Sequence, residues 1–122
     1  MAIRYASAVL TLSGVLALIL GLMFWFGAAL NLVSLHMLLG LLAVGALWLI
    51  GVSQFFSPSG SRLIGLAALV VGALTAALGL YQSALMLGPS HWIVRVIHLL
   101  LGVLTIGLGH MGAARYRKST GE

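Results

Sequence analysis

The sequence predicts an all-α integral membrane protein, an up-down four-helix bundle made of two parallel-repeated helical hairpins. Three observations carry this. Hydrophobic residues make up 62% of the 122 residues and charged residues only 6%, where a soluble domain carries about 25% charged residues. The charges are also widely spaced. Residues without Asp, Glu, Lys or Arg number 57 between Arg4 and Arg62, 32 between Arg62 and Arg95, and 19 between Arg95 and Arg115. A spanning helix needs ~20 apolar residues, so the gaps hold two spans, one span and most of one. Finally, Ala6–Phe26 and Leu63–Leu80 are apolar on every face. A β-barrel would instead alternate apolar and polar residues.

The first helix is expected from Tyr5 to Phe26. Its apolar run exceeds the ~7–15 residues of a signal-peptide h-region, so it is read as a retained span. Gly27-Ala28-Ala29-Leu30-Asn31 supplies a tight turn, with Asn31 or Ser34 as N-cap of the second helix. That helix runs to about Gln54. Ser57-Pro58-Ser59-Gly60-Ser61 is the clearest loop in the chain. The third helix runs from Arg62 to about Met86, where Gly88-Pro89 breaks it. Ser90 is positioned to cap the fourth, which continues to about Tyr116. All 122 residues form one domain, with repeats at about 4–56 and 62–116. Arg4, Arg62, Arg115, Arg117 and Lys118 fall at one face, and the other two turns carry no Lys or Arg. The positive-inside rule then places both termini in the cytoplasm. A prokaryotic plasma membrane is the expected location.

The halves repeat internally. Leu35–Gly45 aligns with Ile97–Gly107 at an offset of 62, matching His36 with His98, Gly40 with Gly102, and Gly45 with Gly107. The odd helices repeat at an offset of 58. Ser7, Gly14, Gly21 and Ala28 in the first answer to Gly65, Gly72, Gly79 and Met86 in the third, each series spaced by seven. Such spacing gives each odd helix a groove of small residues, which serves plain helix packing equally well. Helices 2 and 4 run the same way, so His36 and His98 should face each other diagonally across the bundle. Folding each hairpin about its turn sets Gly21 level with His36 and Gly79 level with His98.

The absences narrow the chemistry. The one acid is Glu122 and there is no Cys. That removes carboxylate proton relays, thiolate metal sites, iron–sulfur clusters and Ser–His–acid hydrolysis. The basic residues sit at chain ends and in one loop, which is a topology signal and not a nucleic-acid stripe. His36, His98, His110 and Arg95 remain inside the spans. Two neutral imidazoles facing across a dry core suit a planar metallocofactor, because haem iron takes axial imidazoles, whereas zinc wants four ligands. Glycine opposite such a ring removes the side chain that would collide with it.

These residues resemble the four-helix haem-binding core of the cytochrome b family. That core has axial histidines on its second and fourth helices and glycines against the haem on its first and third. The resemblance implies His36 and His98 as iron ligands, with Gly14, Gly21, Gly72 and Gly79 against the cofactor. Gly40 and Gly102, one turn after the histidines, are counted with them. The family carries two histidines on each even helix and two stacked haems. Here His98 has His110 twelve residues on, but the matching position in helix 2 is Trp48. One haem b is therefore expected, two at most.

Packing or polar contacts alone are the bland reading of every membrane histidine. His110 is read as a hydrogen-bonding group between helices, and His91 as a solvated residue at the outer surface. Trp25, Trp48 and Trp92 read mainly as interfacial belt residues. Arg95 lies one turn outward from His98 and is expected either to pair with a cofactor propionate or to snorkel to lipid phosphates. The expected protein is a small electron carrier, or a subunit of an oxidoreductase complex, without catalytic residues of its own. Its partners are the lipid bilayer, a membrane redox partner or larger complex, and a quinone, with no nucleic acid. The rival readings are a subunit binding a chlorophyll-type pigment and a cofactor-free scaffold.

Overall fold

A computed structural model describes residues 2–85 and 88–121. It contains four long helices: α1 (Ala2–Trp25), α2 (Val33–Phe56), α3 (Arg62–Tyr81) and α4 (His91–Thr120). Short 3-10 turns at Leu30–Leu32 and Gln82–Ala84 lead into α2 and out of α3. With these turns the apolar segments contain 24, 27, 23 and 30 residues, at mean hydropathy 1.9 to 2.4. At ~1.5 Å per residue, even the shortest exceeds the ~30 Å hydrocarbon core of a bilayer. Each helix is therefore long and apolar enough to cross a membrane.

The ends of the helices follow local chemistry. Gly27 leaves α1 at φ 77°. The Ala28 amide donates to the Met23 carbonyl (2.9 Å), and the Gly27 amide to the Phe24 carbonyl (3.0 Å). This pairing is the Schellman motif, which wants glycine at the left-handed position. Neither Asn31 nor Ser34 caps α2, contrary to the sequence expectation. The chain leaves Ala29 in the left-handed region (φ 56°) and enters a 3-10 turn that continues into the helix. Asn31 is inside that turn, and Leu32 takes the cap position without a side-chain bond. Ser61 caps α3, its Oγ accepting from the Ile64 amide at 3.2 Å. Ser90 occupies the cap position of α4, but its side chain makes no capping bond. The backbone does that work, with the His91 amide donating to the Gly88 carbonyl at 3.1 Å. Met86, where the third helix was expected to end, and Glu122 lie outside the described residues.

Each helix packs on its neighbours in sequence, α4 returns to α1, and α2 also meets α4 across the middle. The packing is uneven along the axis. At the end holding the α2–α3 loop, Ile3, Leu10, Leu47, Ile50, Ala68 and Ala113 belong to one solid core. Glycines allow the close approach there. A Cβ on Gly51 would stand 2.8 Å from that of Ala68, and one on Gly65 would stand 2.7 Å from the Gly51 carbonyl oxygen. Small residues let membrane helices meet in this way. Gln54, fully buried, ties three helices together. Its Nε2 donates to the Gly112 carbonyl (3.0 Å), and its Oε1 accepts from the Ser61 amide (3.1 Å). The opposite end of the molecule is hollow.

Candidate functional site: a cavity between two histidines

The hollow end encloses about 450 Å³, with walls from all four helices. That is within the ~300–1,000 Å³ of ordinary ligand and cofactor sites. The lining is mostly apolar, as at Leu18, Leu22, Phe24 and Val44, and both His36 and His98 face the space. The imidazole centres stand 6.3 Å apart with their planes at 72°. Two imidazoles in line on one metal, at ~2.0 Å per bond and with each ring centre about 1.1 Å behind its nitrogen, place those centres about 6.2–6.4 Å apart. The spacing of the ring centres equals that distance, although His98 turns its Nε2 toward α3 at Gly79.

His36 is held firmly. Its Nδ1–H donates to the Ala17 carbonyl at 2.8 Å. A carbonyl only accepts, so the proton is on Nδ1, and Nε2 of the neutral ring keeps its lone pair free. This is the arrangement that orients metal-binding histidines and raises their basicity. Phe24 packs against the same ring edge-on, with centres 5.2 Å apart. His98 is held differently. Its Nδ1 is buried and has no hydrogen-bond partner among the described residues.

The glycines divide into three kinds. Gly21 and Gly79 are filled by the histidines themselves: a Cβ there would stand 3.2 Å from His36 Cε1 and 3.1 Å from His98 Cε1. Gly40 and Gly102 border the cavity, and a Cβ on either meets nothing within 4 Å. Gly14 also borders it, but Ile106 Cγ1 would stand 2.9 Å from a Cβ at that site. Gly72 does not reach the cavity wall. The Trp48 indole occupies its notch, with Nε1 donating to the Leu69 carbonyl at 3.3 Å. Trp48 therefore packs α2 on α3, which its assignment to the interfacial belt did not foresee.

Arg95 is exposed at the cavity mouth and is the one Lys or Arg on its lining. His91, Gln82 and Ser83 border the same opening. The His91 Nδ1–H donates to the Leu85 carbonyl (3.0 Å), so His91 is tied to the chain leaving α3. His110 is remote from the cavity. Its Nε2 is 3.1 Å from Thr11 Oγ1, and the Thr11 hydroxyl also donates to the Ser7 carbonyl (2.9 Å). At the cavity floor Thr75 Oγ1 and Thr105 Oγ1 meet at 3.2 Å, joining α3 to α4. No group of three or more His, Cys, Asp or Glu gathers among the described residues. The four-ligand set of a structural zinc site is thus missing among them, and the cavity holds a pair of imidazoles. Comparison with family models, with curated proteins and with solved structures finds no match to the chain.

Proposed function

We propose that the chain is a membrane-embedded haem b electron-transfer protein, an up-down bundle with one bis-histidine haem between α2 and α4. The observation that carries this reading is the pair of imidazoles facing across an apolar cavity at 6.3 Å. His36 and His98 are the ligands. The bound iron supplies reversible one-electron exchange, with no bond made or broken in the protein. His36 offers Nε2 because Ala17 holds its Nδ1 proton. Gly40 and Gly102 leave room beside the histidines for a flat ring. Leu18, Leu22 and Phe24 give the site an apolar wall.

Arg95 favours porphyrin over pigment. The only acid in the chain is the terminal Glu122, so the arginine at the mouth has no protein carboxylate nearby in sequence. A haem carries two free propionates, and Arg–carboxylate pairing is charge-assisted and often bidentate. Chlorophyll-type pigments carry esters in place of those acids and give Arg95 nothing to pair with. The propionates then point toward the α3–α4 turn. Electrons enter and leave through a quinol or a membrane partner near this mouth. The protein, purified in mild detergent and given haemin, should take up one equivalent per chain. On reduction it should show the sharp split visible bands of low-spin haem. A colourless protein that takes up neither haem nor a chlorin is the scaffold reading instead.

A further inference from the structure

The two histidines occupy equivalent places in the repeat, but the odd helices treat them differently. Ala17 and Thr75 are related by the same offset of 58 that relates Gly21 to Gly79. The Thr75 carbonyl is thus the counterpart of the Ala17 carbonyl that holds His36. His98 does not use it. His36 turns its Cε1–Nδ1 edge to α1, at 3.2 and 3.9 Å from the Cβ position of Gly21. His98 turns its Cε1–Nε2 edge to α3, at 3.1 and 3.7 Å from the Cβ position of Gly79. The nitrogen that binds metal is therefore turned to the neighbouring helix, and the other is buried without a partner. A half-turn about Cβ–Cγ only exchanges Cε1 with Nε2 on that same edge, so Nε2 stays against α3. To aim Nε2 into the cavity His98 has to swing about Cα–Cβ as well, whereas His36 already has Nδ1 on the Ala17 carbonyl and Nε2 clear of α1.

We propose that His98 is the displaceable ligand, and that on the reduced haem a neutral diatomic such as carbon monoxide takes its place. The proposal rests on the haem reading above. Loss of the hydrogen bond behind a metal-bound histidine typically weakens metal binding by about 10–100-fold. His98 has no such bond in its resting position and has to leave that position to ligate, whereas His36 has the bond in place. The cavity accommodates the exchange, because Gly102, one turn beyond His98, has no atom within 4 Å of its Cβ position. The mostly apolar lining suits a small neutral ligand. In the exchange the iron–Nε2 bond of His98 breaks and an iron–carbon bond forms. The imidazole keeps its lone pair, and no proton or electron moves.

The test is carbon monoxide added to the haem-loaded, dithionite-reduced full chain in detergent. The Soret band should shift and the low-spin visible bands should collapse. His98→Ala should retain haem through His36 in a high-spin form, bind carbon monoxide at least roughly tenfold faster, and regain a low-spin spectrum with added imidazole. That rescue separates lost ligation from misfolding. His36→Ala should fail to hold haem. A low-spin haem protein unmoved by saturating carbon monoxide overturns this proposal alone. So does the reverse pattern, in which His36→Ala keeps haem and His98→Ala loses it. A chain that shows no Soret band after haemin addition overturns the haem reading and this proposal together.

Discussion

At the scale of single residues, Arg95 and His110 are ionisable groups of opposite consequence. His110 is committed to α1 through Thr11. Hydrogen bonds between membrane helices average about 0.6 kcal/mol and reach about 1.7. His110→Ala should therefore lower unfolding stability in detergent by no more than that and leave bound haem unchanged. A variant stripped of haem would give His110 a place at the site. Arg95 stands at the cavity mouth, where on the haem reading its charge would favour the reduced, more negative state. Removing a cation makes an electron harder to add, so Arg95→Leu should lower the midpoint potential at matched haem occupancy. An unchanged or raised midpoint would leave Arg95 as a residue reaching for lipid phosphates.

At the scale of elements, the α2–α3 corner depends on one amide. Gln54→Ala would take from the buried Gly112 carbonyl and the part-buried Ser61 amide the side chain that links them. Each buried unsatisfied group costs about 1–3 kcal/mol. The variant should unfold at clearly lower denaturant, while a Gln54→Glu chain, which keeps an acceptor but no donor, should be intermediate or worse. Wild-type stability in Gln54→Ala would show that water replaces the side chain. Gln54 was invisible in the sequence except as the end of a span, because nothing in an apolar chain marks which polar residue turns inward. The spans themselves were legible, since charge-free length is a one-dimensional quantity. The repeat was legible too. Equal offsets put each histidine level with its glycine, and the structure has His36 against Gly21 and His98 against Gly79. Rotation about the helix axis was not legible. Lipid-facing and core-facing residues are equally apolar, so the heptad of glycines gave no sign that Trp48 fills Gly72 and Ile106 crowds Gly14. The alignment also equated His36 with His98, and only the side-chain contacts distinguish them.

At the scale of the whole molecule, the solid end and the hollow end have different charge. Arg4, Arg62, Arg115, Arg117 and Lys118 cluster in sequence around the termini and the 57–61 loop, and the turns at 27–31 and 85–90 have neither Lys nor Arg. Lys and Arg in short loops are retained on the cytoplasmic side. On that rule the packed core near the α2–α3 loop would lie toward the cytoplasm, and the cavity with its Arg95 mouth would open toward the outside. This orientation is a property of the whole bundle, since all four helices must alternate for the five basic residues to share a face. The absence of cysteine makes it directly measurable, because a single introduced thiol is the only one in the chain. Ala28 and Ser59 are both exposed, the first in the α1–α2 turn and the second in the α2–α3 loop. In intact cells a membrane-impermeant maleimide should label Ala28→Cys at once, and Ser59→Cys only after permeabilisation. The opposite pattern would invert the protein and bring the cavity to the cytoplasmic side, with its electron partners there. Labelling of both from one side would mean that α2 does not cross at all. His36 and His98 could then no longer lie at one depth of the bilayer, and the cofactor site drawn from their pairing would fall with the topology.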